Sequence, residues 1–452
     1  MFNISKDTTN YKVDDTIRVM QEDTDKYGVF IDIENAYYNF YWYSNIRTRA
    51  MKFLQSRGFQ LKVDMSGESI KPSDVVDYAI RNKFNAYLGQ TAQGRVSLSE
   101  ESISNFLANI DSYNLENAND IKLVMKAYLE YKDSSYLISS INGDSNNYLR
   151  INKSQFLSND LHSMGVVRPK YSAQNTGRIS AANPNLAGIS NKLVKPIVTA
   201  PEGYALVNID MGQVDPREFA NLILKDPMIN KLIQLYNDAY FGFLHYCTMS
   251  DLERNSGEIT KREITDELKR QRDKIKTMTN ATIYGKNITD TDEISVAFKN
   301  RLSNHPNRVK LMNECKAKLD AGETVFYTLL GTPIDVTKTD DRSIEKHGAD
   351  DLQGARLRKA VNAQIQGLTA DVLRYAYMTI RDYLKENAPS SMIVAQVYDS
   401  LKIIVSENDI PAIKDYINQC LAFRIDGCNI PINCEAEWIY GKGKREEFVS
   451  NV

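Results

Sequence analysis

Two aspartates that lie far apart in the chain each follow an apolar run with the pattern of a β-strand. Asp210 follows the run 204–209, and Asp399 follows the run 392–398. A carboxylate at the end of a strand is held on a rigid element, and two that converge form the oxygen-rich, doubly negative pocket that suits Mg²⁺ bound to phosphates. The pair therefore indicates a metal site for chemistry on a phosphate chain.

A basic segment between the two aspartates supplies the complementary charge. Four side chains recur there at intervals of four residues: Arg272, Lys276, Asn280 and Tyr284. In a helix each is turned by only about 40° from the one before, so the spacing predicts one face roughly 18 Å long. An arginine and a lysine one turn apart can neutralise triphosphate oxygens, although a solvated helix face is the common alternative for a basic run. Together with the aspartates, the segment favours phosphoryl transfer, and more specifically nucleotidyl transfer.

Composition bounds the class of protein. The chain has 452 residues, of which 42% are hydrophobic and 25% charged, and its net charge is −2. This length predicts two to four substructures at about 100–200 residues each. We find no apolar run of about 18 residues and no N-terminal signal pattern, so we expect a cytoplasmic protein with no membrane partner. Five cysteines without a CxxC pair argue against a zinc site or a disulfide framework.

Hydrophobic periodicity predicts mixed helical and strand structure. The expected elements are a mainly helical region over 1–165, a loop over 171–200, a charged helical region over 226–345, a helix over 355–380 and a hairpin over 392–405 with Asp399 at its tip.

Five motifs occur in a characteristic order between residues 171 and 405. Thr176-Gly-Arg178-Ile-Ser with Pro184-Asn-Leu186 resembles T-G-R-L-S with P-N-L-Q-N-I-P, and the segment 210–217 resembles D-Y-S-Q-I-E-L-R. The set Arg272, Lys276, Tyr284 and Gly285 resembles R-x3-K-x3-F-x3-Y-G, and the set Arg358, Asn362, Gln366 and Gly367 resembles R-x3-N-x3-Q-G. Gln396-Val-Tyr-Asp399-Ser resembles Q-V-H-D-E, and these five patterns, in this order, are those of the family A DNA polymerases. This family contains bacterial DNA polymerase I and its phage relatives.

The resemblance implies an α+β right-hand polymerase fold. The N-terminal segment and a helical thumb would occupy 1–165. An antiparallel-sheet palm would be formed by 166–225 and 351–452, with helical fingers, 226–350, inserted into it.

The resemblance also implies a role for each motif residue. Asp210, Asp399 and the Met211 carbonyl would bind two Mg²⁺ ions, one lowering the pKa of the primer 3′-hydroxyl and the other stabilising pyrophosphate. Lys276 would be the proton donor to pyrophosphate. The dNTP would contact Arg272, Lys276, Asn280, Tyr284, Gln213, Asp215 and Tyr240. Primer–template DNA would contact Arg178, Arg358, Asn362, Gln366, Gln396 and Tyr398.

Some positions depart from the family pattern: Asp215, Tyr240, Asn280, Tyr398 and Ser400. Asp215 replaces a glutamate whose side chain blocks a ribose 2′-hydroxyl, and Asn280 replaces an aromatic residue that contacts the incoming sugar. A carboxylate one methylene shorter leaves more room, so we expect weaker exclusion of ribonucleotides. Ser400 removes an auxiliary acid beside Asp399, which leaves the two aspartates as ligands.

A second acidic pair, Asp32-Ile-Glu34, is similar to the D-x-E that begins a 3′–5′ proofreading exonuclease. Such a domain needs well over 100 residues before the thumb, whereas the thumb-like pattern begins here almost at once. We therefore interpret the pair as the entry to the thumb and predict no intrinsic proofreading domain.

These inferences predict a template-directed, Mg²⁺-dependent DNA polymerase that extends a primer 3′-hydroxyl with dNTPs. We expect a monomer, aided by a separate exonuclease or processivity factor. The small size and divergent motifs favour a phage gene acting in a bacterial cytoplasm. A single-subunit RNA polymerase, or a ribonucleotide-tolerant enzyme, is the nearest alternative and is favoured by Asn280 and Ser400. An inactive nucleic-acid-binding scaffold is another, although binding alone does not require both aspartates with Arg272 and Lys276.

Overall fold

The computed structural model describes residues 2–5, 12–64, 67–91, 94–142, 164–186, 197–285, 288, 290–338, 340–347, 351–420, 422–426, 428–440 and 444–449. The chain forms two compact units, the first made of 1–30, 166–182 and 199–452, and the second of 31–165 and 183–198. Among the described helices, none is long and apolar enough to cross a membrane.

The helices follow one another as α1 (Val13–Lys26), α2 (Ile33–Ser56), α3 (Pro72–Arg81), α4 (Glu100–Asn109), α5 (Ala118–Asn142), α6 (Val214–Glu218), α7 (Pro227–Tyr236), α8 (Ala239–Thr248), α9 (Asp251–Ser256), α10 (Asp266–Ile283), α11 (Glu293–Phe298), α12 (Pro306–Asp320), α13 (Asp340–His347), α14 (Leu352–Asn387) and α15 (Ile410–Cys420). Short π-helical segments, Phe219–Leu224 and Lys299–Ser303, extend α6 and α11.

The strands are β1 (Phe2–Ile4), β2 (Val29–Asp32), β3 (Leu61–Asp64), β4 (Gly67–Ile70), β5 (Met164–Val167), β6 (Lys170–Ala173), β7 (Ile179–Ala182), β8 (Tyr204–Met211), β9 (Val325–Tyr327), β10 (Pro333–Asp335), β11 (Met392–Val397), β12 (Ser400–Ser406), β13 (Ala422–Ile425), β14 (Ile432–Tyr440) and β15 (Lys444–Val449).

The main sheet of the first unit positions the two aspartates. Its strand order is β1-β13-β14-β8-β12-β11, with β15 also paired to β14. Pairing is antiparallel except between β1 and β13. One face packs on α14 and α15 in a core that includes Val207, Ile403, Trp438 and Tyr377. Since the side chains of a strand alternate between faces, Asp210 lies on the face opposite this core.

A second core joins the helices between 227 and 320. Phe243 of α8, Phe298 of α11 and Ile275 of α10 are fully buried within it. Thr265 begins α10, because its hydroxyl accepts a hydrogen bond from the Leu268 N–H at 3.2 Å. The apolar face of α10 therefore lies in this core. On the predicted polar face Lys276 and Tyr284 are exposed, whereas Arg272 and Asn280 are partly buried.

The second unit is mainly helical. The long helices α2 and α5 pack together, and Leu54, Phe84, Phe106 and Val124 are completely or almost completely buried in their common core. Asp32 is the N-cap of α2, and its carboxylate accepts hydrogen bonds from the backbone and side-chain nitrogens of Asn35 at 2.9 and 2.7 Å. This carboxylate therefore has a local structural role.

The observed elements agree with the predicted ones in most of the chain. The hairpin over 392–405 and the helix over 355–380 are confirmed as β11–β12 and as part of α14, and the fold is α+β as predicted. The loop expected over 171–200 was partly wrong, because β6 and β7 pair there as a short hairpin. Its strands are rich in serine and alanine and lack the apolar alternation that would have indicated them. Within the stretch 1–165, predicted to hold an N-terminal segment and a helical thumb, residues 1–30 belong to the first unit and 31–165 to the second.

Candidate active site

Strand pairing brings Asp210 and Asp399 to one end of the main sheet. Ser400 is the direct partner of Asp210 across β12 and β8, and the Met211 N–H donates a hydrogen bond to the Asp399 carbonyl at 3.1 Å. Burial raises the pKa of Asp399, its own backbone N–H lowers it, and the nearby Asp215 carboxylate raises it further. The main cause is burial, and the Asp215 carboxylate adds a smaller repulsive contribution.

Two residues beside the aspartates adopt left-handed backbone conformations. Tyr398 has φ +53° in the two-residue loop between β11 and β12, and Gln213 has φ +56° just before α6. Such conformations are uncommon for residues other than glycine and cluster at functional sites. The Tyr398 side chain is 66% exposed at the tip of the hairpin, where it is accessible to a ligand.

Asp215 lies at the centre of a hydrogen-bonded cluster. One guanidinium nitrogen of Arg178, Nη2, lies 2.7 and 2.8 Å from the two carboxylate oxygens. Thr369 Oγ1 is 2.7 Å from Oδ1, and the Tyr284 hydroxyl donates to Oδ2 at 3.4 Å. Donors from three separate parts of the chain thus fix this carboxylate.

Asp238 is the acceptor in a second group of hydrogen bonds in the site. Arg272 donates to its Oδ2 from Nε at 3.1 Å and from Nη2 at 2.6 Å, and Gln213 donates to the same oxygen at 2.7 Å. The other oxygen, Oδ1, accepts from the Phe241 N–H at 2.8 Å and caps α8. Asp238 therefore holds the predicted phosphate-binding arginine in a fixed orientation.

Tyr240 and Lys276 lie next to this group of hydrogen bonds. Arg272 and Lys276 are 5.2 and 6.0 Å from the centre of the Tyr240 ring. Burial, and then the Asp215 carboxylate, raise the pKa of the Tyr240 hydroxyl, which therefore stays protonated at neutral pH. Lys276 is exposed and has no carboxylate partner in the described ranges of the chain, so its ammonium group is available to an anion.

The predicted DNA-contacting residues of α14 adjoin the end of α10. Gly285 has φ +71°, and a side chain there would meet Arg358 Cγ at 2.6 Å, so the close approach requires glycine. Arg358 itself donates to Asp351 at 2.6 Å. Asn362 Oδ1 and Gln396 Oε1 are buried without a hydrogen-bond partner among the described residues, and buried polar atoms of this kind call for a partner.

The donor set at the two aspartates suits a hard divalent cation, because it offers carboxylate oxygens and the neighbouring Met211 carbonyl. In the parts of the chain that the structure describes, no three His, Cys, Asp or Glu side chains are grouped so as to hold a metal ion, at the aspartates or elsewhere. Asp210 and Asp399 could therefore supply two carboxylate ligands to Mg²⁺, with the Met211 carbonyl beside them.

Sequence reasoning did not assign Asp238, Thr369 or Glu218 to the site. Asp238 has the ordinary local role of a helix N-cap, which conceals its contact with Arg272. Thr369 lies three residues after Gln366 on α14. Residues at this spacing are neighbours on a helix surface, so the helical periodicity could have indicated Thr369. Glu218 is 1% exposed, and nothing in its sequence context separates it from a surface acid.

Comparisons with known proteins identify the family and the fold. The family described as DNA polymerase family A matches residues 105–442. DNA polymerase I of Pseudomonas aeruginosa is 25% identical over 52% of this chain and 25% of its own length. DNA polymerase I of Aquifex aeolicus is 25% identical over 58% of this chain and 43% of its own. The chain thus matches less than half of the length of either relative.

The fold also matches a solved structure, the POL domain of Pol1 from M. smegmatis in complex with DNA primer-template and dNTP. The TM-score is 0.69 at 17% identity, and the match covers 95% of this chain and 69% of the other. At this identity the likeness concerns the fold. The family match covers most of the chain and includes both aspartates, so the chain belongs to the family A DNA polymerases.

Proposed function

We propose that the chain is a template-directed DNA polymerase that extends a primer 3′-hydroxyl with dNTPs by nucleotidyl transfer. The observation that carries the proposal is the pairing of Ser400 with Asp210, from which Asp399, the residue before Ser400, lies near Asp210 at one end of the strands. The Pol1 neighbour was solved with primer-template and dNTP, and these are the substrates proposed here.

The residues of the site would have separate roles in the reaction. The carboxylates of Asp210 and Asp399, with the Met211 carbonyl, would hold two Mg²⁺ ions. When bound, the ions would lower the pKa of the 3′-hydroxyl and neutralise the leaving pyrophosphate. Lys276, whose ammonium has no carboxylate partner among the described residues, would bind the triphosphate and donate a proton to pyrophosphate. Arg272 would contact the same phosphates from its fixed position on Asp238.

The Asp215 cluster would form the sugar-binding side of the site. Arg178 and Thr369 hold this carboxylate, while Tyr284 donates to it from the end of the fingers helix. Asp215 is shorter than the glutamate of the family pattern, and Asn280 lacks an aromatic ring. We therefore propose looser exclusion of ribonucleotides. Matched insertion of single dNTPs and rNTPs tests this: Asp215→Glu should strengthen the preference for dNTPs, and an unchanged preference would contradict it.

Polar residues beside the site would contact the primer–template. The side-chain oxygens of Asn362 and Gln396 are buried without a hydrogen-bond partner among the described residues, and Gln366 lies about one turn after Asn362 on α14. The minor groove presents a degenerate pattern, which suits an enzyme that must accept any sequence. We assign 1–165 to the N-terminal segment and thumb, 166–225 and 351–452 to the palm, and 226–350 to the fingers.

We also propose that the chain itself carries no proofreading exonuclease. Asp32 is engaged as the N-cap of α2, and Glu34 lies in the first turn of the same helix, so the D-x-E does not lie within one strand. Primer degradation by the purified chain that is abolished by Asp32→Ala would contradict the proposal. Under this proposal, a separate exonuclease or processivity factor would act with the polymerase.

Primer extension separates this function from the two alternatives. The proposal predicts templated extension with dNTPs, and a single-subunit RNA polymerase would extend with rNTPs by preference. An inactive scaffold would bind primer–template without extending it. Templated extension that proceeds only with rNTPs, or binding without any extension, would refute the proposal.

A further inference from the structure

A fully buried glutamate lies directly behind the Asp215 cluster. Glu218 belongs to α6, one turn after Asp215, and is 1% exposed. Its Oε2 is 3.0 Å from Thr369 Oγ1, and its Oε1 has no hydrogen-bond partner in the described part of the chain. Thr369 Oγ1 therefore lies between two carboxyl groups, those of Asp215 and Glu218.

The hydroxyl group of Thr369 has a single hydrogen, yet three oxygens lie within reach of it. These are Asp215 Oδ1 at 2.7 Å, Glu218 Oε2 at 3.0 Å and the Ile365 carbonyl at 3.2 Å. If both carboxyl groups were ionised, at least one of them would face a lone pair of Thr369 in a buried setting, which is unfavourable. A hydrogen on Glu218 removes this conflict.

We propose that Glu218 is a positioning residue for Asp215: its carboxyl group donates a hydrogen bond to Thr369 Oγ1 and so commits the Thr369 hydrogen to Asp215. The inference rests on the proposed function, because it assigns the Glu218–Thr369 pair a part in sugar selectivity. The order of donors is Glu218 O–H to Thr369, and Thr369 O–H to Asp215.

The electrostatic surroundings support a neutral Glu218. Burial raises the pKa of Glu218 well above its usual value, and the Asp215 carboxylate raises it further. The hydrogen bond with Thr369 and the Arg178 guanidinium act in the other direction. Arg178 is already committed to Asp215, so Asp215 is the charged member of the pair.

The proposal predicts different effects for two substitutions of similar size. Glu218→Gln keeps a donor, since its amide N–H can replace the carboxyl O–H, and should retain the wild-type ratio of kcat/KM for dNTP to that for rNTP within about twofold. Glu218→Met has no donor and should lower this ratio about tenfold, as expected when a hydrogen bond to a charged group is weakened. Thr369→Val should produce a loss similar to that of Glu218→Met.

The same substitutions in an Asp215→Ala background distinguish positioning from packing. The Gln and Met variants should then have equal ratios, because the carboxylate that they position is gone. An effect of Glu218→Met that persists without Asp215, or a Glu218→Gln variant as impaired as Glu218→Met, would overturn the inference. Wild-type protein that does not extend a primer at all would instead refute the proposed function.

Infrared spectroscopy tests the protonation without any assay of activity. The difference spectrum of wild type minus Glu218→Gln at neutral pH should contain the C=O stretching band of a protonated carboxylic acid, shifted in D₂O. A carboxylate band in its place would show Glu218 to be ionised and would overturn the inference.

Discussion

The contact between Arg178 and Asp215 should be a strongly coupled ion pair of the site. Nη2 of Arg178 lies 2.7 Å from Asp215 Oδ1, and the two side chains are 29% and 16% exposed. Exposed pairs contribute at most about 1 kcal/mol, whereas breaking a buried pair costs about 3–5 kcal/mol. At this intermediate burial we expect Arg178→Met to lower the free energy of unfolding by about 2–3 kcal/mol.

A double-mutant cycle isolates the interaction itself. Arg178→Met, Asp215→Asn and the double variant should give a coupling energy of about 1.5 kcal/mol or more, because each single change leaves a charged or polar partner unsatisfied. Urea unfolding can be followed by Trp438, which is fully buried in the same unit. Trp42 is 54% exposed, so a Trp42→Phe background removes its signal.

The matched control is the pair Arg270–Glu267 on the exposed side of α10. Its separation, 2.6 Å, is as short, but its side chains are 75% and 59% exposed. Solvent screening should therefore reduce the coupling in this cycle to about 0.5 kcal/mol or less. Equal coupling energies in the two cycles would refute the reasoning from burial.

Two further predictions concern the buried acid and the free lysine. The pKa of Glu218 is raised in the folded state above its usual 4.5. Between pH 4.5 and the folded pKa, the folded protein therefore binds one more proton than the unfolded chain. The free energy of unfolding should fall as pH rises through this range, by at most about 1.4 kcal/mol per pH unit. Glu218→Gln should remove this slope, so the stability of the variant relative to wild type should increase as pH rises. If the free energies of urea unfolding of the two proteins had the same pH dependence, the assignment would be contradicted. Lys276→Ala should lower kcat/KM for dNTP by about 10²–10³-fold. The control is Lys274, which pairs with Asp292 at 2.5 Å: Lys274→Ala should change kcat/KM by less than about threefold. Steady-state kinetics showing similar losses in the two variants would rule out a special role for Lys276.

Local patterns predicted the rigid parts of the site because their causes are local. Alternation of apolar residues identified β8 and β11, and the four-residue spacing of Arg272 and Lys276 identified the polar face of α10. The turn at Asp399 followed from the break between two strand-like runs. These elements position the aspartates and the two cations predicted to bind phosphates, which is why a reaction class could be proposed from sequence.

The contacts that fix Asp215 could not be predicted because they are distant in sequence. Thr369 lies 154 residues and Arg178 lies 37 residues from Asp215. Which oxygen accepts which hydrogen depends on packing between α6 and α14, and sequence periodicity does not specify that packing. The hairpin of β6 and β7, which carries Arg178 next to its turn, lacked apolar alternation and was taken for a loop.

The central claim is that Asp210 and Asp399 form the centre of nucleotidyl transfer. It is tested most directly by single-turnover primer extension with saturating Mg²⁺ and dNTP. The proteins compared are wild type, Asp399→Asn and a control variant, Asp426→Asn, at an exposed position after β13. We expect Asp399→Asn to lower the extension rate by at least about 10³-fold with primer–template affinity retained, and Asp426→Asn to match wild type. Extension by Asp399→Asn at a rate near that of wild type would contradict the account.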